Sequence, residues 1–359
     1  MNIIALILAG GKGNRFWPKS SPSLPKQFLR IVGDATLFQE TVKRVHSFLP
    51  YENIYVITGA VYKDIVREQT PQLPVQNLIF EPAGKDTAPA VCYAALWLAE
   101  MYPDAIMLTL PSDHYIGQEE LWEETVLNAC IAARKNWPVV IGIRPTRPES
   151  AYGYLIPGEK QPEMEAPTWK ITKFIEKPNT AAALKMLEAG NCYWNSGMFV
   201  WKIPVVKKKL QKYLPQLYDD VYAMIQDARK AGYTPCQEVI PARLEKDFSL
   251  VKPISIDYGI MEKCDDLQMV PGFFLWDDVG GWQALDRLLE HDDNGNINVG
   301  KGFLVDTQDC IVDWEDGPVL IVGLRGAVIA GREGKLLVYA KKYLPQFKET
   351  LQGLKEELL

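Results

Sequence analysis

The sequence predicts an α/β fold: a mixed, mostly parallel sheet with helices on both faces, then a small β-rich segment and a terminal helix. Three observations predict it. Short continuous apolar runs recur, as in strands buried on both faces. Segments with helical spacing separate them through residue 143, the rhythm of βαβ units. The composition then shifts at "HDDNGNINVGKG", residues 291–302, to short runs broken by turns. The expected domains are therefore residues 1–290 and residues 291–359.

The elements follow in order. The first strand is the run "IIALIL", and "ATLFQETVKRVHSFL" has helical spacing, with Leu37, Val42, Val45 and Leu49 on one side. "NIYVITG" and "NLIFEP" are strands, the second stopped by Pro82. "DTAPAVCYAALWLAEMY" is a helix that Asp86 can cap. "AIMLTLPSDH" is a strand ending in a polar turn, "LWEETVLNACIAARKN" a helix and "PVVIGI" a fifth strand. After Ile143, "YGYLIPG", "WKITKFIEKP" and "CYWNSGMFVWK" read as an antiparallel extension, and residues 203–231 as helical. Beyond the composition shift, "FLVD", "CIVD", "VLIVGL", "AVIAG" and "KLLVYA" read as short strands. "YLPQFKETLQGLKEELL" closes the chain as an amphipathic helix, with an apolar stripe of Leu344, Phe347, Leu351, Leu354 and Leu358. That stripe serves either a homodimer or packing on its own chain.

Composition excludes several classes. A formal net charge of -6 argues against a broad nucleic-acid-binding face, but leaves room for a local basic pocket. The six cysteines include no C-x-x-C pair and read as buried thiols in a reducing compartment. Three scattered histidines do not suggest a metal site. No run approaches the ~20 apolar residues that span a membrane, and the N-terminus lacks a signal-peptide pattern. The expectation is a cytoplasmic enzyme without a membrane partner.

In open α/β sheets ligands bind beyond the carboxyl ends of the strands. The loops after Leu8, Phe80 and Leu110 carry the three most polar motifs of the first half. The first is "LILAGGKGNRFWPKSSPSLPKQFL", residues 6–29. It lacks the G-K-[ST] of a P-loop, and Phe16 and Pro18 spoil a dinucleotide fingerprint. An open loop whose backbone N–H groups wrap a triphosphate, with Arg15 and Lys26 as fixed positive charge, fits better than a plain strand-ending turn.

"LAGGKGNRFWP" followed by "LPKQFL" resembles the signature of the sugar-nucleotide pyrophosphorylases, in their mannose-1-phosphate guanylyltransferase version. "EPAGKDTAPAV", "LPSDHYI", "YGYLIPG", "FIEKP", "WNSGMFVW", "SIDYGIMEK" and "WDDVGGWQAL" resemble further blocks of the family in the same order. Asn14, Phe16 and the Lys85-Asp86 pair depart from its usual residues. The resemblance implies a Rossmann-like nucleotidyltransferase domain and a β-helix-like C-terminal domain. It also implies the conversion of GTP and mannose 1-phosphate to GDP-mannose and diphosphate with Mg²⁺. Family members often continue into an isomerase-type extension, for which this chain stops too early, so transferase activity alone is expected of it.

The resemblance also implies roles. Arg15, Lys26, Asp113 and Asp278 are the catalytic set, with Asp113 and Asp278 as the metal pair. Read from the residues alone, each of these aspartates is sooner a helix cap or turn former at a strand end, and the ordered family blocks reverse that. Leu8, Ala9, Gly10, Gly11, Gly13, Glu81, Lys85, Thr87 and Ser112 are the nucleotide side. Gly153, Glu176, Lys177 and Asn195 are the sugar-phosphate side. His114 is expected to orient its loop, because a phosphate nucleophile needs no deprotonation. Trp17, Trp194, Trp276 and Trp282 are expected to pack. A related enzyme for another sugar or base, or a silent regulatory subunit, would be told apart by assay. All four catalytic positions are filled, which counts against the silent subunit.

Overall fold

A computed structural model describes residues 1–11 and 14–353; Gly13, Leu354 and Leu358 lie outside the described residues. The chain divides into two compact units. The first comprises Met1–Gly10, Thr41–Ser112 and Ile116–Trp276, the second Gly11–Glu40, Asp113–Tyr115 and Asp277–Leu359.

The first unit is built on one sheet. Its strands are β1 (Ile3–Leu8), β2 (Ile54–Gly59), β3 (Leu78–Glu81), β4 (Ile106–Pro111), β5 (Val139–Ile143), β6 (Tyr154–Lys160), β7 (Trp169–Ile175), β8 (Tyr193–Lys202) and β9 (Gln268–Gly272). Their order is β3-β2-β1-β4-β8-β5-β9-β7-β6. β1 to β4 are mutually parallel, as their continuous apolar runs predict. The sheet is mixed: β7 and β8 run against the other strands, which share one direction. β8 enters between β4 and β5, antiparallel to both, and so lies in the middle of the main sheet and not in a side extension. The reason is visible in its burial: Phe199, Val200 and Trp201 are at most 2% exposed, which only an interior strand provides.

The helix Thr87–Met101 buries Ala88, Val91, Cys92, Ala94, Ala95 and Leu98 completely, so it is apolar nearly all round and sits inside this unit's core. Residues 203–231 form two helices, Ile203–Tyr213 and Pro215–Lys230. The break falls at Leu214 because the residue before a proline disfavours helical dihedrals.

The second unit carries β10 (Ile297–Val305), β11 (Ile311–Val322), β12 (Ala327–Arg332) and β13 (Lys335–Ala340), in that order in one sheet. β10, β11 and β12 run parallel and β13 returns antiparallel. Ile297, Ile311, Val328, Ala330 and Leu337 form its core together with Phe16, Leu29 and Leu37 from the loop that follows β1 and with Trp282 and Leu285. Leu344, Phe347 and Leu351 of the terminal segment are buried in that same core, so this part of the stripe packs on its own chain. All six cysteines are free thiols, and all but Cys236 are buried. Among the described residues, no helix is long and apolar enough to cross a membrane.

Candidate active site

In the second unit, the loop after β1 is a succession of tight turns. Gly11 takes φ +112°, which favours glycine, and among the described residues no heavy atom lies within 4 Å of a Cβ built there. Asn14–Phe16 and Lys26–Phe28 are short 3-10 turns, bringing Arg15 and Lys26 into defined positions. Phe16 is buried against Trp282, ring centres 5.4 Å apart.

Lys26 is buried, and its ammonium collects the other catalytic candidates. It lies 2.8 Å from Asp113 Oδ2. It also donates to the carbonyl oxygens of Asp278 at 2.7 Å and Val279 at 3.1 Å. Asp113 and Asp278, far apart in sequence, are therefore neighbours around one cation. Burial pushes the Asp113 carboxyl up, but Lys26 and His114 outweigh it and hold the group below its ordinary range. Arg15 Nη1 donates to the Gly280 carbonyl at 3.4 Å. Val279 has φ +50°, an unusual conformation for a β-branched residue, and backbone strain of this kind gathers at functional turns. Burial holds the His114 imidazole below its usual pKa, so it is neutral near pH 7.

Asp277 differs from its neighbour. It is 3% exposed, takes a bidentate contact from Arg287 at 2.7 and 2.9 Å, and accepts the Val279 N–H at 2.9 Å. Those bonds commit both of its oxygens to shaping the turn. Asp278 is only half-buried, its two carboxylate oxygens each 3.1 Å from a Cβ built at Gly280.

The first unit holds the remaining candidates. Ala9 is buried, donates its N–H to Ile57 and accepts from the Thr58 hydroxyl, both at 2.9 Å. Ser112 is buried and its N–H donates to the Leu8 carbonyl. Asp86 has φ +73° and caps the helix Thr87–Met101 through the Thr87 N–H. Thr87 has a second job: its hydroxyl accepts the Ile256 N–H at 2.8 Å. The Lys85 N–H points to Glu81 Oε1 at 3.4 Å, and burial raises the Glu81 carboxyl to about 7.

Around Glu176 the packing is tight. Its side chain is only 6% exposed, Oε1 pairs with Lys177 at 3.0 Å, and Oε2 is buried with no hydrogen-bond partner among the described residues. A Cβ on Gly153 would lie 2.5 Å from that oxygen, so the glycine is demanded by Glu176 itself. Lys177 takes φ +47° and extends a half-exposed side chain. Asn195 donates from Nδ2 to Asp257 Oδ1 at 2.7 Å, and its Oδ1 accepts the Gly197 N–H at 3.0 Å. Asp257 is the residue that sequence reasoning missed. Burial raises both its carboxyl and that of Glu176, and their mutual repulsion raises Glu176 further. Ser255 caps the short helix Ile256–Gly259, a start signal in "SIDYG" that could have pointed to it.

A glycine turn at Gly11 and the positive charges of Arg15 and Lys26 within one unit suit the handling of phosphates. The chain belongs to the nucleotidyl transferase family, whose model matches residues 4–294, and is an enzyme of that class. Alginate biosynthesis protein AlgA of Pseudomonas putida is 33% identical over 359 residues, 99% of this chain and 72% of its own. A mannose-1-phosphate guanylyltransferase of Sinorhizobium fredii is 35% identical over 94% of this chain, which spans 64% of that protein's length. Among solved structures, a mannose-1-phosphate geranyltransferase from Thermus thermophilus is similar with a TM-score of 0.85 at 31% identity, covering 98% of this chain and 99% of its own.

Proposed function

We infer that the chain joins GTP and α-D-mannose 1-phosphate, giving GDP-mannose and diphosphate in the cytoplasm. The observation that carries this reading is the Lys26 ammonium gathered with Asp113 and Asp278 in the unit that also holds the glycine turn and Arg15. The guanylyltransferase relative supports the choice of substrates.

A phosphate oxygen of the sugar attacks the α-phosphorus of GTP in line, and diphosphate leaves. The nucleophile is already an anion, so alignment and charge screening are the work required. Gly10 and Gly11 offer backbone N–H groups, while Arg15 and Lys26 hold the α-phosphate and the departing diphosphate. Two carboxylates, Asp113 and Asp278, make a hard-oxygen set of the size that suits Mg²⁺, which keeps several waters. When bound there, Mg²⁺ would neutralise phosphate charge and polarise the α-phosphorus. Glu81, Lys85, Thr87, Ser112, Leu8 and Ala9 serve the nucleotide.

Lys177 holds the sugar phosphate. Glu176 Oε2 and Asp257 accept from sugar hydroxyls, and a pair of buried carboxylates raised by burial gains from such donors. Asn195, with Oδ1 and one amide hydrogen engaged, chiefly sets Asp257 in place.

Residues 1–290 form the transferase in this reading and residues 291–359 the β-rich domain. The parallel run of β10, β11 and β12 supports a β-helix-like character. Self-association as a homodimer belongs to the same reading, and the exposed neighbours Phe303 and Leu320 supply apolar surface for it. Incubation with GTP, mannose 1-phosphate and Mg²⁺ tests the reaction. Mass spectrometry should find GDP-mannose and diphosphate in equal amounts; phosphate release without a sugar nucleotide would count against it.

A further inference from the structure

Lys19 lies on the loop after β1, between Arg15 and Lys26, and is 7% exposed. Its ammonium donates to both carboxylate oxygens of Asp313 on β11, at 2.7 and 2.9 Å. It also lies 2.7 Å from Glu315 Oε1. Asp313 is 6% exposed, and burial raises its carboxyl although Lys19 pulls it down. A buried pair of this kind is costly to leave half-made, because the remaining charge has no water.

Tight turns flank Lys19 on both sides. The N–H groups of Lys19 and Ser20 close onto the Phe16 carbonyl at 2.8 and 3.1 Å, one residue from Arg15. Ser21 and Leu24 exchange backbone bonds at 3.0 and 3.1 Å, and the Pro25 carbonyl accepts the Phe28 N–H at 3.0 Å around Lys26. Three consecutive hydrogen-bonded turns thus lie between Phe16 and Phe28. Phe16, at one end, is held in the core of the C-terminal sheet.

We propose that Lys19 is a positioning residue and Asp313 its anchor, so that the C-terminal sheet sets the position of Arg15 and Lys26 for the transfer. The β-rich segment is then part of the phosphate-handling machinery and not an appendage to it. This deepens the guanylyltransferase reading and rests on it for the identity of the phosphates.

The test uses the full-length chain. Lys19→Met, Asp313→Asn, Asp313→Leu and the double variant Lys19→Met/Asp313→Leu are compared by steady-state kinetics and by hydrogen–deuterium exchange of residues 14–31. The single variants should lower kcat tenfold or more, change the KM for mannose 1-phosphate less than threefold, and speed exchange in that segment. The double variant, which removes both buried charges, should regain most of the protection and activity. If a single variant does not fold, Glu315→Gln weakens the same contact without burying a lone charge and should shift both readouts in the same direction by less. Single variants that lower only the melting temperature, with kcat and loop exchange unchanged, would overturn the proposal. The exchange readout needs no substrate. Failure of the unaltered chain to use GTP and mannose 1-phosphate would therefore overturn the substrate reading and leave exchange to decide the positioning.

Discussion

The Lys26 ammonium lies 2.8 Å from Asp113 Oδ2, although the two are far apart in the chain. The same nitrogen donates to the Asp278 backbone carbonyl, so one buried cation ties the Asp113 carboxylate to the turn that carries Asp278. Lys26→Met should therefore lower kcat on the order of 10²–10³-fold, the usual cost of removing one preorganised electrostatic contact. A loss in kcat below tenfold, measured at saturating substrates, would make Lys26 merely structural.

Asp278 and Asp277 should fail differently. Asp278→Asn should cost kcat on the order of 10²–10³-fold with partial rescue by excess Mg²⁺. Asp277→Asn is not the silent control that adjacency suggests, because Arg287 grips both Asp277 oxygens. It should cost about 2 kcal/mol of stability, read as a melting temperature lower by about 5 °C. An unchanged melting temperature for Asp277→Asn would contradict this division.

Lys177→Asn removes the charge while keeping a side chain that tolerates φ near +47°. The KM for mannose 1-phosphate should rise ten- to hundredfold, matching about 1.5–3 kcal/mol for one charge-assisted contact, with the KM for GTP little changed. Equal rises for both substrates would point to a general structural role.

Asp257→Asn tests the residue that the sequence did not disclose. It keeps the shape beside Asn195 and removes one of two repelling carboxylates. Stability should rise slightly near pH 7, while the KM for mannose 1-phosphate rises severalfold. Unchanged KM with unchanged stability would remove Asp257 from the sugar side.

Glu81 gives a pH signature. Its carboxyl is raised from 4.5 to about 7 by burial, so between those values the folded chain holds more protons than the unfolded chain. Its contribution to stability is full below pH 4.5 and is lost as the pH rises through 7. Glu81→Gln should flatten this fall, a difference on the order of 2 kcal/mol between pH 5 and pH 8 in denaturant titrations. Parallel pH curves for the two proteins would show that the shift is absent.

What the sequence made legible was local. β1 to β4 appeared as continuous apolar runs because parallel strands are buried on both faces. The Asp86 cap appeared because a single residue decides it, whereas the break before Pro215 went unread within residues 203–231. The motifs carried the candidate site because its chemistry sits in short loops. Long-range pairing was hidden. β8 carries mixed polar and apolar residues at its start, so nothing local marks it as the partner of both β4 and β5. Nothing in the sequence singles out Lys19, since only the fold supplies Asp313. Asp257 was concealed likewise, because its meaning lies in Glu176 and Asn195, far away in the chain.

Substrate choice is the central claim, and kcat/KM for diphosphate release tests it most directly. With mannose 1-phosphate and Mg²⁺ fixed, GTP, UTP, dTTP and ATP are compared; with GTP fixed, mannose 1-phosphate is compared with glucose 1-phosphate. The highest value is expected for GTP with mannose 1-phosphate. A preference for UTP or dTTP over GTP by tenfold or more would contradict it.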